Sequence, residues 1–499
     1  MTEPHADSVA PERAPSASLP TGFPDDAVLP DVALELGGLF AEAGYELSLV
    51  GGPVRDLFLG RGVVDLDFTT NALPEQTQTV VAEWADAVWD IGARFGTIGF
   101  KKGEWQLEVT TYRAEQYDPE SRKPVVAFGT ELNDDLFRRD FTVNAMALRL
   151  PDLELVDPFG GMRDLAAGML RTPGAPEDSF SDDPLRMMRA ARFAAQLGFA
   201  VNDTVVQAMI AMAQRIDIIS AERVREELVK LILADQPRAG IDLLVRTGLA
   251  DQVLPEVPAL QLETDEHHRH KDVYNHSLTV LEQALDHEAD YVEAPDFVLR
   301  FAALMHDVGK PATRRFERSG AVSFRHHDVV GAKLVRKRMR VLKFDNDTIK
   351  AVATLVELHM RFYGYGDAGW SDSAVRRYVT DAGDQLQRLH ALTRSDVTTR
   401  NRRKAERLAH AYDDLEQRIA ELLEREELDA IRPDLDGKQV MELLGISPGP
   451  LVGRAYKHLL EWRLDDGPHD EETAKAEVLR WWAEQPEHPS ASKSADSDD

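Results

Sequence analysis

LVGGPVRDLFLGRGVVDLDFTTN, Leu49 to Asn71, is the stretch on which the reading of this chain turns. Glu46 to Val50, which leads into it, reads as a short buried strand. Gly51 and Gly52 break that strand, and Pro53 suits the first position of a helix running to about Leu59. A glycine turn feeding a helix N-terminus leaves backbone N–H groups facing outward, which suits a phosphate. In VVDLDFT, strand alternation puts Val64, Leu66 and Phe68 on one face and Asp65 and Asp67 on the other. Two neighbouring carboxylates repel each other unless a cation lies between them. Two Mg²⁺ ions holding a nucleoside triphosphate and an attacking hydroxyl need such a pair.

Each piece has an ordinary explanation when it stands alone. A Gly-Gly turn is a loop, an Asp-x-Asp is a solvated strand end, and Arg55 beside Asp56 is a surface pair that contributes little. Joined in one strand–helix–strand unit, they resemble the signature of class II tRNA nucleotidyltransferases and bacterial poly(A) polymerases, G-G-x-V-R-D followed by L-G and D-x-D. The resemblance implies an α+β chain, with a polymerase-beta-like mixed-sheet head followed by all-helical neck, body, HD and tail regions. It also implies phosphate contacts for Gly51, Gly52 and Arg55.

The chain has 499 residues, enough for several domains with adequate cores. It has no cysteine, which excludes disulfides and thiolate metal sites and fits a cytoplasmic protein. No apolar run reaches the length of a membrane span, and no signal-peptide pattern opens the chain, so no membrane partner is expected. A net charge of −29 sits oddly with RNA binding, but binding follows the local field rather than the total. Basic clusters run from Lys333 to Lys343 and from Arg394 to Arg407, where ordinary basic helix faces are the alternative.

Met1 to about Val28 and Gln485 to Asp499 read as disordered ends, rich in Pro, Ala, Ser and acidic residues. Residues 29–158 form the expected head, with helices alternating with short strands. In WDIGARFGTIGFKKGEWQLEVTTYR, a strand, a hairpin and a second strand are expected, with Glu108 as a candidate third carboxylate beside the Asp pair. Ala114 to Leu136 reads as a long polar connection of little periodicity. The resembling CC- and CCA-adding enzymes carry a flexible loop there that A-only enzymes tend to lack, so its presence favours CC or CCA addition.

RRDFTVNAMAL, Arg138 to Leu148, resembles the family's next motif. Arg138 and Arg139 offer planar donor forks for triphosphate oxygens, and Asp140 an acceptor for a ribose hydroxyl. DPFGGMRDL, Asp157 to Leu165, matches a hinge motif in which Gly160 and Gly161 are given a bending role.

Residues 159–262 form the expected helical neck. There SDDPLRMMRAARFAAQLGF puts Asp183 and Arg186 three apart on one helix face, with Arg189 a step further. A carboxylate that accepts from an exocyclic amine, beside a guanidinium that donates to a ring nitrogen, admits A and C and rejects U and G. This matches the family's E-D-x-x-R motif, with Asp182 in place of the Glu, and Asp183 is the residue expected to meet the base. SAERVREELVKLI, Ser220 to Ile232, reads as mostly structural, with Ser220 as an N-cap.

From residue 263 to 400 the series His276, His306–Asp307, His327, His359 and Asp396 resembles an HD-type phosphohydrolase domain, with ligands enough for two divalent transition metals. His326 is an alternative to His327. The cluster His267, His268 and His270 reads as a loop cap, and Lys310 as a surface lysine or a phosphate contact. Residues 401–484 read as an amphipathic helical tail.

The resemblance implies CCA addition to tRNA. Two Mg²⁺ ions on Asp65 and Asp67 would activate the 3′-hydroxyl for in-line attack on CTP or ATP. Partners would be tRNA, CTP and ATP, without DNA. The alternatives are a poly(A) polymerase, an HD phosphohydrolase with a non-catalytic RNA-binding head, or a non-catalytic tRNA-binding protein.

Overall fold

The computed structural model describes residues 28–62, 66–90, 92–116, 125–261, 273–318, 322–365, 370–398, 401–426 and 433–488. Asp65, the His267–His268–His270 cluster and most of both expected disordered ends lie outside them. The chain divides into two compact units, Met1–Val253 and Leu254–Asp499.

The first unit begins with α1 (Asp31–Glu42), β1 (Leu47–Val50), α2 (Gly52–Phe58) and β2 (Leu66–Thr70). Next come α3 (Pro74–Val81), β3 (Ala87–Trp89), β4 (Thr97–Lys102) and β5 (Trp105–Thr111). β6 (Arg113–Gln116), β7 (Val125–Phe128), α4 (Leu132–Phe137), β8 (Ala147–Leu150) and β9 (Glu154–Val156) complete the head.

Seven strands make one sheet in the order β3-β4-β5-β2-β1-β8-β9, in which only β2 and β5 run parallel. β1 is buried along its whole length: strands flank it on both edges, and α1 and α2 pack against it. On β2, Leu66 and Phe68 point into the core while Asp67 is exposed, as the alternation requires. On β5, Leu107 and Val109 are buried and Glu108 is exposed.

The segment Ala114–Leu136 corrects one expectation. It is not a structureless connection: β6 and β7 pair antiparallel, Arg113 with Phe128 through Gln116 with Val125, and α4 follows. Each strand is only four residues long, too short to show a period in the sequence. The tip, residues 117–124, lies outside the described residues.

α5 (Gly161–Ala166) follows Gly160, whose φ of +75° turns the chain at the expected hinge motif. Then come β10 (Met169–Leu170), α6 (Pro176–Asp182), α7 (Leu185–Leu197) and β11 (Ala200–Val201). α8 (Asp203–Met212), α9 (Ala221–Ile232), α10 (Pro237–Arg246) and α11 (Leu249–Val253) close the unit. Ser220 caps α9 through the Arg223 amide, as expected.

The second unit is almost wholly helical. It runs through α12 (Val273–Tyr291), α13 (Phe297–Met305), α14 (Lys310–Thr313), α15 (His327–Val341) and α16 (Asn346–Leu358). It continues with α17 (Asp372–Ala382), α18 (Leu386–Ser395) and α19 (Arg402–Glu426). α20 (Gly437–Leu444), α21 (Pro450–Asp466) and α22 (Glu471–Ala483) pack around Val440, Leu459 and Val478. In the basic clusters, Arg336 and Arg338 pair with Glu357 and Glu256, and Arg394 with Asp413 and Glu416, so part of that charge is neutralised locally. Among the described residues no helix is long and apolar enough to cross a membrane.

Candidate active site and metal centre

The parallel pairing of β2 with β5 sets Asp67 opposite Glu108. Register partners on adjacent strands point to the same face, so two exposed carboxylates stand side by side on the sheet. Such a hard oxygen pair fits Mg²⁺. Asp65 lies outside the described residues.

At the end of β1, Gly51 takes φ +78° and leads into the two turns of α2. A Cβ on Gly51 would lie 3.0 Å from Nη1 of Arg139, so the guanidinium lies directly against the glycine turn. Arg139 Nε is buried without a hydrogen-bond partner among the described residues, a donor left for an anion.

Arg55 corrects the surface-pair reading. It is 5% exposed, donates from Nε and Nη2 to both Asp56 oxygens, and donates from Nη1 to Asn144 Oδ1 at 2.7 Å. It therefore ties α2 to the Arg138–Leu148 motif.

Asp135 organises the arginine forks, and it was missed in the sequence because a carboxylate among Asn133 and Asp134 carries no visible signal. It is fully buried. Its Oδ1 accepts from Arg138 Nε at 3.1 Å, Arg138 Nη2 at 2.5 Å and the Arg113 amide at 3.3 Å. Its Oδ2 accepts from Arg139 Nη2 at 3.2 Å and Thr69 Oγ1 at 3.4 Å. Burial works against the ionised form, but the charges of Arg139 and Arg138 outweigh it and hold the carboxyl below its usual range.

Asp140 is also buried. It accepts from Asn144 Nδ2 and the Phe141 amide and pairs with Arg189 at 2.7 Å. Burial is again outweighed, chiefly by Arg189, and its pKa falls. A carboxylate so engaged orients Arg189 and the motif around it.

Asp183 and Arg186 do not share a helix face as expected. Asp183 is extended at φ −141°, ψ 99°, between α6 and α7, because Pro184 disfavours helical geometry in the residue before it. Its Oδ1 accepts from the Leu185 amide, and its Oδ2 pairs with Arg223 at 2.8 Å. The Ser220–Ile232 segment thus supplies a side chain to the region it was expected only to support. Arg186 donates to Ser179 Oγ at 2.8 Å and to the Arg138 carbonyl, linking α7 to the arginine motif. A cavity of about 370 Å³ opens here, lined among others by Phe137, Arg138, Arg139, Ser179, Asp182 and Arg186. Three carboxylates line it, Asp134, Asp178 and Asp182; Asp183 is not among the lining residues.

In the second unit the six expected ligands converge. His276, His306 and Asp396 form one group able to hold a metal ion, and Asp307, His327 and His359 a second. Asp307 joins them, with Oδ2 3.2 Å from His306 Nε2 and Oδ1 3.2 Å from His327 Nε2. His306, His327 and His359 each engage Nδ1 with a carbonyl three residues earlier, at 2.8, 2.8 and 2.7 Å. That contact fixes the tautomer and turns Nε2 inward as a lone-pair donor. Nitrogen and carboxylate donors in this number fit divalent transition metals. Of the two alternatives, His327 is buried in the cluster and His326 is exposed.

Burial and the charge of His306 push His359 down to about 4, which keeps it neutral. Burial is overcome at Asp396, which His276 and His306 hold at about 2, and at Asp307, which lies well below its usual range. His306 is raised, because Asp307 and Asp396 outweigh its burial. Lys310 is not a free surface lysine: its Nζ lies 2.5 Å from Asp307 Oδ2.

Residues 47–171 match the family model of the poly A polymerase head domain, and residues 198–260 the "probable RNA and SrmB-binding site of polymerase A". Residues 273–425 match the HD domain. An A-adding tRNA nucleotidyltransferase of Deinococcus radiodurans is 35% identical over 446 residues, 88% of this chain and 96% of its own. The chain belongs to the tRNA nucleotidyltransferase family.

It is therefore a nucleotidyltransferase, an enzyme, and the α+β expectation stands. The CCA-adding enzyme of Lactobacillus delbrueckii subsp. bulgaricus is 40% identical over 212 residues, 42% of this chain and 52% of its own. The structure of the Bacillus stearothermophilus CCA-adding enzyme in complex with CTP superposes with a TM-score of 0.63 at 25% identity, covering 90% of this chain and 96% of that one. The Thermotoga maritima CCA-adding enzyme complexed with tRNA shares the fold, with a TM-score of 0.56 at 20% identity over 91% of this chain and 96% of its own.

Proposed function

We propose that this tRNA nucleotidyltransferase rebuilds the CCA end of tRNA, transferring CMP and AMP from CTP and ATP to the RNA 3′-hydroxyl and releasing pyrophosphate. The observation that carries the reading is the cavity between the arginine forks and α6–α7. Arg138 and Arg139 line it with cationic donors, and Asp182 and Arg186 with the groups that read a base edge. The forks bind the triphosphate and draw charge toward the departing pyrophosphate. Arg186 and, from the cavity wall, Asp182 select the base; Asp183, held by Arg223, and Arg189, held by Asp140, do not line the cavity and position the residues around it. Asp65, Asp67 and Glu108 would hold Mg²⁺, which when bound lowers the pKa of the attacking hydroxyl and screens phosphate charge. Positioning and preorganised charge do the rest.

The second unit is proposed as a metal-dependent phosphohydrolase on His276, His306, Asp307, His327, His359 and Asp396. The head, residues 29–158, would carry the transfer chemistry and the neck, 159–262, the RNA.

One observation favours a narrower reading. The relative that matches along nearly the whole chain is named A-adding, whereas the quoted CCA-adding relative matches less than half of it. Transcripts ending before tRNA nucleotide C74, after tRNA nucleotide C75, or complete, each given CTP and ATP separately, decide between them. CCA addition predicts CMP incorporation into the shortest transcript. AMP incorporation confined to the C75 transcript would establish A-only addition instead.

A further inference from the structure

The geometry points to Phe137 as the stacking platform for the base of the incoming nucleotide. The inference rests on the reading that the cavity beside Arg138 holds that nucleotide, and it names the group that clamps the flat of the ring.

Phe137 ends α4 and immediately precedes Arg138, so ring and guanidinium leave the backbone at adjacent positions and line the same cavity. It is the one aromatic among the described lining residues; the others are polar, charged, or small. A phenylalanine of a folded domain is ordinarily buried, yet this ring is 54% exposed. Its position is nevertheless fixed. It packs on Phe159, with ring centroids 5.6 Å apart and planes tilted by 54°, and Phe159 packs on the head core beside Leu132, Leu136 and Tyr112. At the ring's far edge, a Cβ on Gly174 would lie 2.8 Å from Phe137 Cζ, so only glycine lets the Pro173–Gly174 turn come this close. An exposed apolar ring held from beneath and from the edge is a preorganised surface rather than a loose side chain.

The chemistry of the ligand fits this wall. A nucleobase has a polar edge and an apolar face. Asp182 and Arg186 can meet the edge, but neither offers a flat apolar surface for the face. Stacking tolerates any base, because every base has a π face. Phe137 would therefore add affinity for both ATP and CTP and leave the choice between bases to the edge groups. The larger purine gains more contact, so the ring matters more for ATP than for CTP.

The test is equilibrium binding of ATP and of CTP to the full chain, with steady-state KM for nucleotide and for tRNA primer alongside. Phe137→Ala should weaken ATP binding about fivefold or more, the lower end of what removal of a base-stacking aromatic does. CTP should weaken less. Phe137→Leu, which keeps apolar bulk without a π face, should behave like the alanine variant, and Phe137→Trp should restore binding. Melting temperatures should stay close to wild type, because more than half of the ring is already in water.

Wild-type nucleotide affinity in both the alanine and leucine variants overturns the inference, and so does a raised KM for primer alone, which would give the ring to the RNA end. Arg186→Ala separates the two levels. If it relaxes base selectivity while the Phe137 variants bind normally, stacking fails and the cavity reading survives. If it too changes neither affinity nor selectivity, both fail.

Discussion

Replacing Asp135 with alanine should loosen both arginine forks at once. The carboxylate accepts from Arg138 and Arg139 and also holds Thr69 of β2 and the Arg113 amide at the foot of the hairpin. Cutting a buried ion pair from one side costs about 3–5 kcal/mol when the survivor is sealed from water. Here Arg138 and Arg139 keep 20% and 21% of their side-chain surface exposed, so water recovers part of the loss. A destabilisation of about 2–4 kcal/mol is expected, comparable with the loss of one or two charge-assisted hydrogen bonds at about 1.5–3 kcal/mol each. At roughly 2–4 °C per kcal/mol for a unit of this size, the first thermal transition should fall by about 5–15 °C.

Asp135→Asn keeps an acceptor oxygen and the volume, and should lose less stability. It removes the charge that aims the forks, so nucleotide KM should still rise about tenfold, the factor that corresponds to about 1.4 kcal/mol. The pH dependence has a definite sign. Arg139 and Arg138 overcome burial and lower the folded-state pKa of Asp135. Its stabilisation is therefore complete above the unfolded-state value of about 3.9 and is lost as pH falls through the lower folded value. Wild type should lose stability more steeply than Asp135→Asn below about pH 4. Calorimetry from neutral pH down to well below the unfolded-state value of about 3.9 and nucleotide kinetics at neutral pH give the readouts. An alanine variant with unchanged melting and unchanged nucleotide KM would refute the organising role.

Asp67→Ala should reduce nucleotide addition by about a thousandfold or more, the several kcal/mol ascribed to metal-held charge, while hydrolysis of a chromogenic phosphodiester continues. Glu108→Gln should lower addition by a smaller factor, and joint loss of both activities in a folded Asp67 variant would contradict separate sites. In the second unit, Asp307→Ala should abolish phosphodiester hydrolysis and empty both metal positions, because Asp307 joins the two groups. His359→Ala should spare the group of His276, His306 and Asp396. Metal content by elemental analysis distinguishes them, and equal metal loss in the two variants would contradict the division.

Local chemistry was legible in the chain. The glycine turn and the inward and outward faces of β2 and β5 follow from steric rules spanning a few residues. Three departures have physical causes of longer reach or finer grain. Asp183 left the helix because the proline after it forbids helical geometry at that point. The hairpin between Arg113 and Phe128 was invisible because a strand of four residues gains its definition from its partner rather than from its own pattern. Lys310 looked like a surface lysine until the turn after α13 brought it onto Asp307.

The sequence by itself determined which groups are present and how near neighbours are presented: a carboxylate on an exposed strand face, paired guanidinium forks, and imidazoles and carboxylates in the order of an HD series. Only the tertiary structure decided which of them meet. Asp67 and Glu108 are 41 residues apart and adjacent only because β2 and β5 pair in one parallel register. The six candidate ligands of the second unit lie on or beside α12, α13, α15, α16 and α18 and converge only when those helices pack. Asp135 carried no signal at all, since the worth of a buried carboxylate is set by what surrounds it. Distances along a chain govern faces and turns. Distances through space govern fields, coordination and catalysis, and those are fixed by packing between segments.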